Sequence, residues 1–223
     1  PASSVRRRSI DAGRVCSGPM SSPDFLSVSH ISKRFGITQA LEDVSVTFAA
    51  GEVHALMGEN GAGKSTLGKT IAGLHRQDTG VISLRGRELP PGDLDAAFEA
   101  GVRIVHQELA QCPNLSVAEN LCLHDLPTTR WGTIDRREMG RRASALLQRI
   151  EPGIDPFAPL GSLSPGHRQI VQIAAALDER GGGGKGGAQV IVFDEPTSSL
   201  SLAETERLLR IIRQLASTGI CCI

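Results

Sequence analysis

Aromatic residues are scarce in this sequence: they make up 3% of its 223 residues, and tyrosine is absent altogether. A core with so few large rings rests on Val, Ile, Leu and Ala, which suits an α/β fold around a buried parallel sheet. No stretch approaches the ~20 consecutive apolar residues of a membrane-crossing helix, so these residues hold no such span. Charge of one sign does not dominate either. Lys plus Arg and Asp plus Glu each number 24, giving a formal net charge of zero. No overall field therefore draws the chain to nucleic acid or to an anionic membrane, and no nucleic-acid partner is expected. The five cysteines, at 16, 112, 122, 221 and 222, show no C-x-x-C spacing. Their odd count and the length of the chain argue against a disulfide framework and for a reducing compartment. The arginines at 6–8 have no apolar run behind them, which argues against a secretory signal there.

Residues 1–24 are rich in Ser, Pro, Gly and Arg and read as a disordered extension, with ordered sequence from about Phe25. From there, strand and helix patterns alternate. "DVSVTF" (43–48), "EVHALMG" (52–58), "VISLRGREL" (81–89), "VRIVHQE" (102–108) and "QVIVFD" (189–194) read as strands. A short helix is expected at Leu94–Glu99 and an Arg-rich amphipathic one at 135–150. Apolar residues at 170, 173, 174 and 177 mark a helical face. Ser116 with Glu119, and Ser201 with Glu204, fit capping boxes, the second ahead of a helix bearing Leu208, Ile211, Ile212 and Leu215. "GICCI" (219–223) reads as a further strand.

The strongest motif is "GENGAGKST", Gly58 to Thr66, between a strand and a helical pattern. It fits the phosphate-loop pattern G-x-x-x-x-G-K-[ST] in the context that pattern needs. Gly58, Gly61 and Gly63, with Glu59, Asn60 and Ala62 between them, let backbone N–H groups converge on phosphates without Cβ clashes. The helix that follows aims its positive end at the same anions. Lys64 reaches the β- and γ-phosphates, and the Ser65 hydroxyl is placed for Mg²⁺. The second element is "VIVFDEPT" (190–197), an apolar strand that delivers Asp194 and Glu195 at its C-terminal end. Ligands of open α/β sheets bind at such ends. Asp194 would hold Mg²⁺, and Glu195 would orient or deprotonate the attacking water.

A glycine run at 181–187 also carries a lysine, Lys185. No Ser or Thr follows it, and the strand comes after the glycines instead of before them. It is therefore read as a flexible surface insertion and not as a phosphate site.

With these motifs in hand, the chain resembles the ATP-binding cassette (ABC) ATPases over roughly residues 26–223. "LSPGHRQ" (163–169) looks like the family signature, "HQE" (106–108) carries the Q-loop glutamine Gln107, and "SSLS" (198–201) sits where the D-loop follows the carboxylates. "ALEDVSV", "HQEL…LSVAEN" and "DEPTSSLS" are similar to the first cassette of monosaccharide importers of the ribose, xylose and galactose type.

The resemblance implies a RecA-like P-loop NTPase core with a mostly parallel sheet, an antiparallel β subdomain and an α-helical signature subdomain at about 109–180, all within a nucleotide-binding domain of 25–223. It implies ATP and Mg²⁺ as ligands, and catalysis by Glu195, Lys64 and Gln107. Phe35 would stack on adenine, Gln107 would join Ser65 and Asp194 at the metal, and Ser164 and Gly166 would bind the γ-phosphate held by an opposing cassette. The implied partners are that second cassette, a membrane permease and, indirectly, a sugar-binding protein, at the cytoplasmic face of the membrane. Two signature positions depart from the common pattern: Pro165, which removes one N–H, and His167. The family's switch histidine would fall beyond Ile223, which makes the chain read as a fragment that binds ATP–Mg²⁺ but turns it over poorly. An ATP-dependent dimerisation switch, or an ABC ATPase for another cargo, are the alternatives.

Overall fold

The computed structural model describes residues 25–105, 111–123, 125–178, 187–197 and 200–223, and the main chain of 11–15. Two sheets organise them. In the first, β4 (Val53–Met57), β7 (Val102–Val105), β8 (Val190–Phe193) and β9 (Cys221–Cys222) run parallel, and β1 (Asp11–Val15) pairs antiparallel with β4. The spatial order is β1-β4-β9-β8-β7. The second sheet is antiparallel, in the order β3-β2-β5-β6, formed by β2 (Leu26–Phe35), β3 (Thr38–Phe48), β5 (Thr79–Leu84) and β6 (Arg87–Glu88). Six α-helices lie among the described residues, α1 (Lys64–Ile71), α2 (Leu94–Glu99), α3 (Val117–Leu121), α4 (Arg136–Gln148), α5 (Pro165–Ala176) and α6 (Leu202–Ser217), with a short 3₁₀ turn at Leu160–Ser162.

Five residues of the segment expected to be disordered are a strand. Asp11–Val15 pairs residue by residue with Val53–Met57, from Asp11↔Met57 to Val15↔Val53. The outer edge of β4 carries unpaired N–H and C=O groups, and a nearby extended segment satisfies them whatever its composition. The rest of 1–24 lies outside the described residues, as do His106, Gln107 and the glycine run through Gly186.

The aliphatic residues bury in two clusters, as the scarcity of aromatics requires. One joins α3, α4 and α5 to α6 and the parallel sheet, through Val117, Leu121, Met139, Leu147, Ile170, Ile173, Ile191 and Leu208. The other packs the antiparallel sheet onto α1 and the opposite face of β8, through Leu26, Ile31, Phe48, Leu67, Ile71, Val190 and Val192. Burying each such side chain contributes about 1.5–3 kcal/mol. Local signals set the helix starts. Asp93 caps α2, Asp135 caps α4, and both expected capping boxes form, at Ser116/Glu119 and Ser201/Glu204. The charged face of α4 is tied down at its middle, where Arg142 bridges Asp125 (2.9 Å) and Glu138 (3.2 Å).

Candidate functional site

Parallel pairing places the C-terminal ends of β4, β8 and β7 at one edge of the sheet. The loop Gly58–Gly63 leaves β4 at that edge and runs into α1, and Asp194 and Glu195 leave β8 there. Gln107, just past the end of β7, lies outside the described residues.

The loop holds its shape by its own contacts. Ala62 N–H donates to Glu59 O (3.0 Å), and Gly63 O accepts from Leu67 N–H (2.8 Å) to open the helix. Gly61 and Gly63 have φ of +78° and +93°. A Cβ on Gly63 would run into the carbonyl oxygen of Ala40 and reach within 2.9 Å of Leu41 Cδ2. Only glycine fits there. Lys64 folds back over the loop, its Nζ donating to Gly58 O (2.8 Å) and Glu59 O (2.9 Å). The helix behind it packs tightly on β8, since a Cβ on Gly68 would lie 2.8 Å from Val192 Cγ1.

Opposite the loop, Asp194 is nearly buried and pairs with Lys69 Nζ at 3.4 Å. Glu195, the next residue, takes φ +50°, a left-handed conformation that a non-glycine residue adopts at a cost of about 1–2 kcal/mol. Such strain persists where the surroundings fix it, and it clusters at working sites. A cleft of about 400 Å³ is lined by Lys64, Ser65, Asp194 and Glu195, with Val192 and Ile212 among its apolar walls. Four of the sequence-predicted residues thus meet in one concavity. Their donors and acceptors suit a polyanion with a hard cation: one ammonium, one hydroxyl and two carboxylates.

The other expected residues stand elsewhere. Phe35 ends β2 and is 45% exposed, with His75 edge-on at 5.2 Å and Lys33 Nζ 5.2 Å from its ring centre. Ser164 and Gly166 open α5, where Ser164 is the cap and Pro165 takes the first helical position. They do not line the cleft with Lys64. His167, the other departure from the signature pattern, is partly buried and held. Arg207 Nη1 donates to its Nε2 at 3.0 Å, and its Nδ1 lies 3.3 Å from Ser164 Oγ. Arg207 is anchored in turn by Glu151 at 2.8 Å.

Sequence reasoning missed Lys69, Arg207 and the outward reach of Glu204. Lys69 lies five residues beyond Lys64 with no motif to mark it, and Glu204 was legible only as a capping residue. Its carboxyl is held down to about pKa 2, first by the Ser201 backbone N–H, then by the hydroxyls of Ser201 and Ser164 and the Gly166 N–H.

A phosphate-type loop between a parallel strand and a helix, facing paired carboxylates across a shared cleft, defines a P-loop α/β cassette. A family model for the ABC transporter matches residues 41–198. The chain belongs to the ABC transporter family. It is 46% identical to an arabinose import ATP-binding protein of Burkholderia thailandensis, over 91% of this chain and 38% of that protein. It is 48% identical to a ribose import ATP-binding protein of Chromobacterium violaceum, over 85% of this chain and 36% of that one. The chain thus spans little more than a third of the length of these curated relatives. The fold matches that of an ATP-binding cassette of an ABC transporter solved in its ADP conformation, with TM-score 0.75 and 22% identity over 90% of this chain and 80% of that one. A nucleotide-free cassette gives TM-score 0.74 and 21% identity over 89% and 79% of the two chains. Among the described residues no helix is long and apolar enough to cross a membrane.

Proposed function

We propose that the protein binds ATP with Mg²⁺ and hydrolyses it to power import of a monosaccharide through a membrane permease. The observation that carries the chemistry is the cleft shared by Lys64, Ser65, Asp194 and Glu195. The relatives named for arabinose and ribose import support the cargo class.

In this reading the loop amides and the α1 terminus bind the β- and γ-phosphates, and Lys64 exchanges its two carbonyl partners for phosphate oxygens. The Gly63 position supports this, because its backbone approaches Ala40 with no room for a side chain. Ser65 and Asp194 are oxygen donors of the kind Mg²⁺ takes, and Gln107 would join them. The ion, when bound, neutralises charge building on the phosphate oxygens. Glu195 orients the attacking water and accepts its proton, its strained backbone holding the carboxylate at the cleft. Phe35 offers an exposed ring face for the adenine. Ser164 and Gly166 act on the nucleotide of a second cassette, so closure of two cassettes is the step coupled to transport. The protein would work at the cytoplasmic face of the membrane, on a permease fed by a sugar-binding protein.

Thermal unfolding tests the site. ATP–Mg²⁺ at a hundredfold excess over Kd stabilises by about 2.7 kcal/mol. For a chain of this size that corresponds to roughly 5–11 °C in Tm. Lys64→Ala should remove the shift, and a shift that survives it refutes the site. Loss of labelled pentose uptake on deleting the gene tests the cargo.

A further inference from the structure

Glu204 does more than cap its helix. Its Oε2 accepts from Ser201 N–H (3.1 Å) and Ser201 Oγ–H (2.8 Å), which is the capping box. Its Oε1 reaches across to another helix, accepting from Ser164 Oγ–H (2.9 Å) and Gly166 N–H (3.1 Å). The fit is close. A Cβ on Gly166 would lie 2.6 Å from Oε1 and 2.7 Å from Glu204 Cγ.

The Ser164 hydroxyl is also directed toward Glu204. Arg207 has only donors, so His167 Nε2 must accept from it, and the ring hydrogen then sits on Nδ1. Nδ1–H points to Ser164 Oγ, and His167 N–H donates to the same oxygen at 3.3 Å. With those contacts made, the serine's own hydrogen goes to the carboxylate. Both signature donors assigned above to a phosphate are thus spent on an internal anion. A carboxylate and a phosphate accept the same hydrogen bonds and repel one another, so the two cannot share these donors.

We propose that Glu204 is an internal competitor for the signature, a latch that Oε1 must release before a second cassette's phosphate can engage Ser164 and Gly166. Oε2 keeps its bonds to Ser201 while Oε1 swings off, so the helix cap survives opening. The proposal rests on the nucleotide reading given above.

The test is sedimentation equilibrium of the ATP–Mg²⁺-loaded protein carrying Glu195→Gln, with and without Glu204→Asp or Glu204→Gln. Asp keeps an acidic capping partner but is one methylene too short to reach α5. Gln keeps the length and removes the charge, and it carries the test should the Asp variant fail to fold. Both should tighten self-association by about tenfold or more, the low end for a charge-assisted bond released. Binding of a fluorescent ATP analogue to each chain should be unchanged. Association equal to or weaker than that of the parent, with nucleotide bound, overturns the latch. So does association by none of the three. Failure of the analogue to bind at all overturns the nucleotide reading and the latch with it.

Discussion

Replacing Gly63 by alanine should damage the protein far more than the same change at Gly36. Both glycines have positive φ, +93° and +56°. Holding alanine in the left-handed region costs about 1–2 kcal/mol at either site. Against this, alanine narrows the unfolded ensemble and returns about 0.4–1 kcal/mol. Gly36→Ala should therefore cost no more than about 1.6 kcal/mol, because nothing lies within 4 Å of its new Cβ. At Gly63 the Cβ meets the backbone oxygen of Ala40 and lies 2.9 Å from Leu41 Cδ2. Backbone cannot rotate aside as a side chain can, so an overpacking term of about 1–3 kcal/mol is added. The sum is about 1–4.6 kcal/mol, or roughly 2–18 °C in Tm for a chain of this length. Urea or thermal denaturation of the two variants side by side measures the difference. ATP-analogue binding should also weaken in Gly63→Ala and not in Gly36→Ala. If the two variants unfold within about 0.5 kcal/mol of each other, the close approach of β3 to the loop is not what restricts Gly63.

Other outcomes follow from the same structure. Glu195→Gly should abolish hydrolysis yet be at least as stable as Glu195→Ala, since glycine removes about 1–2 kcal/mol of left-handed strain and gives back about 0.5–1 in unfolded-state freedom; a glycine variant clearly less stable than the alanine one contradicts the strain. Ser116→Ala should lower stability by about 1 kcal/mol by removing the α3 capping box, read from the urea midpoint. Glu138, beside Arg141 and Arg142, and Glu204 are both held down to about pKa 2 from an ordinary 4.5. A lowered carboxyl pKa gives stability that is complete above pH 4.5 and lost as pH falls toward 2. Across that window Glu138→Gln should lose less stability than the parent, and parallel curves would show that the pair with the arginines adds nothing.

What the sequence made legible was what is local. The α2 span, both capping boxes and the loop from Gly58 to Thr66 are each written in fewer than a dozen consecutive residues. β2 was not legible, because its alternation breaks at His30, which has φ +55°, and its pairing slips register between Val28 and Ile31. β1 was missed since its strand character comes from the edge it pairs with, not from its own residues. β3 begins five residues ahead of its clean alternation for the same reason. At the site, motifs named Lys64 and Asp194, but the Lys69–Asp194 pair and the Glu204 reach to Ser164 and Gly166 join residues far apart in the chain. No spacing rule encodes such contacts; only the packing of α1 on β8 and of α6 on α5 creates them.

The strand order has a kinetic consequence. β9 lies between β4 and β8, yet Cys221 and Cys222 are synthesised after every other described strand. Until they emerge, β4 with its loop and β8 with its carboxylates cannot be bridged. At about 5–20 residues per second, β4 waits on the order of ten seconds for its inner neighbour. During that interval the edge of β4 that faces inward in the finished sheet is open to any extended chain. The cleft is thus completed only after every other described strand is made, so nascent chains of this protein are exposed to mispairing while the phosphate loop already exists.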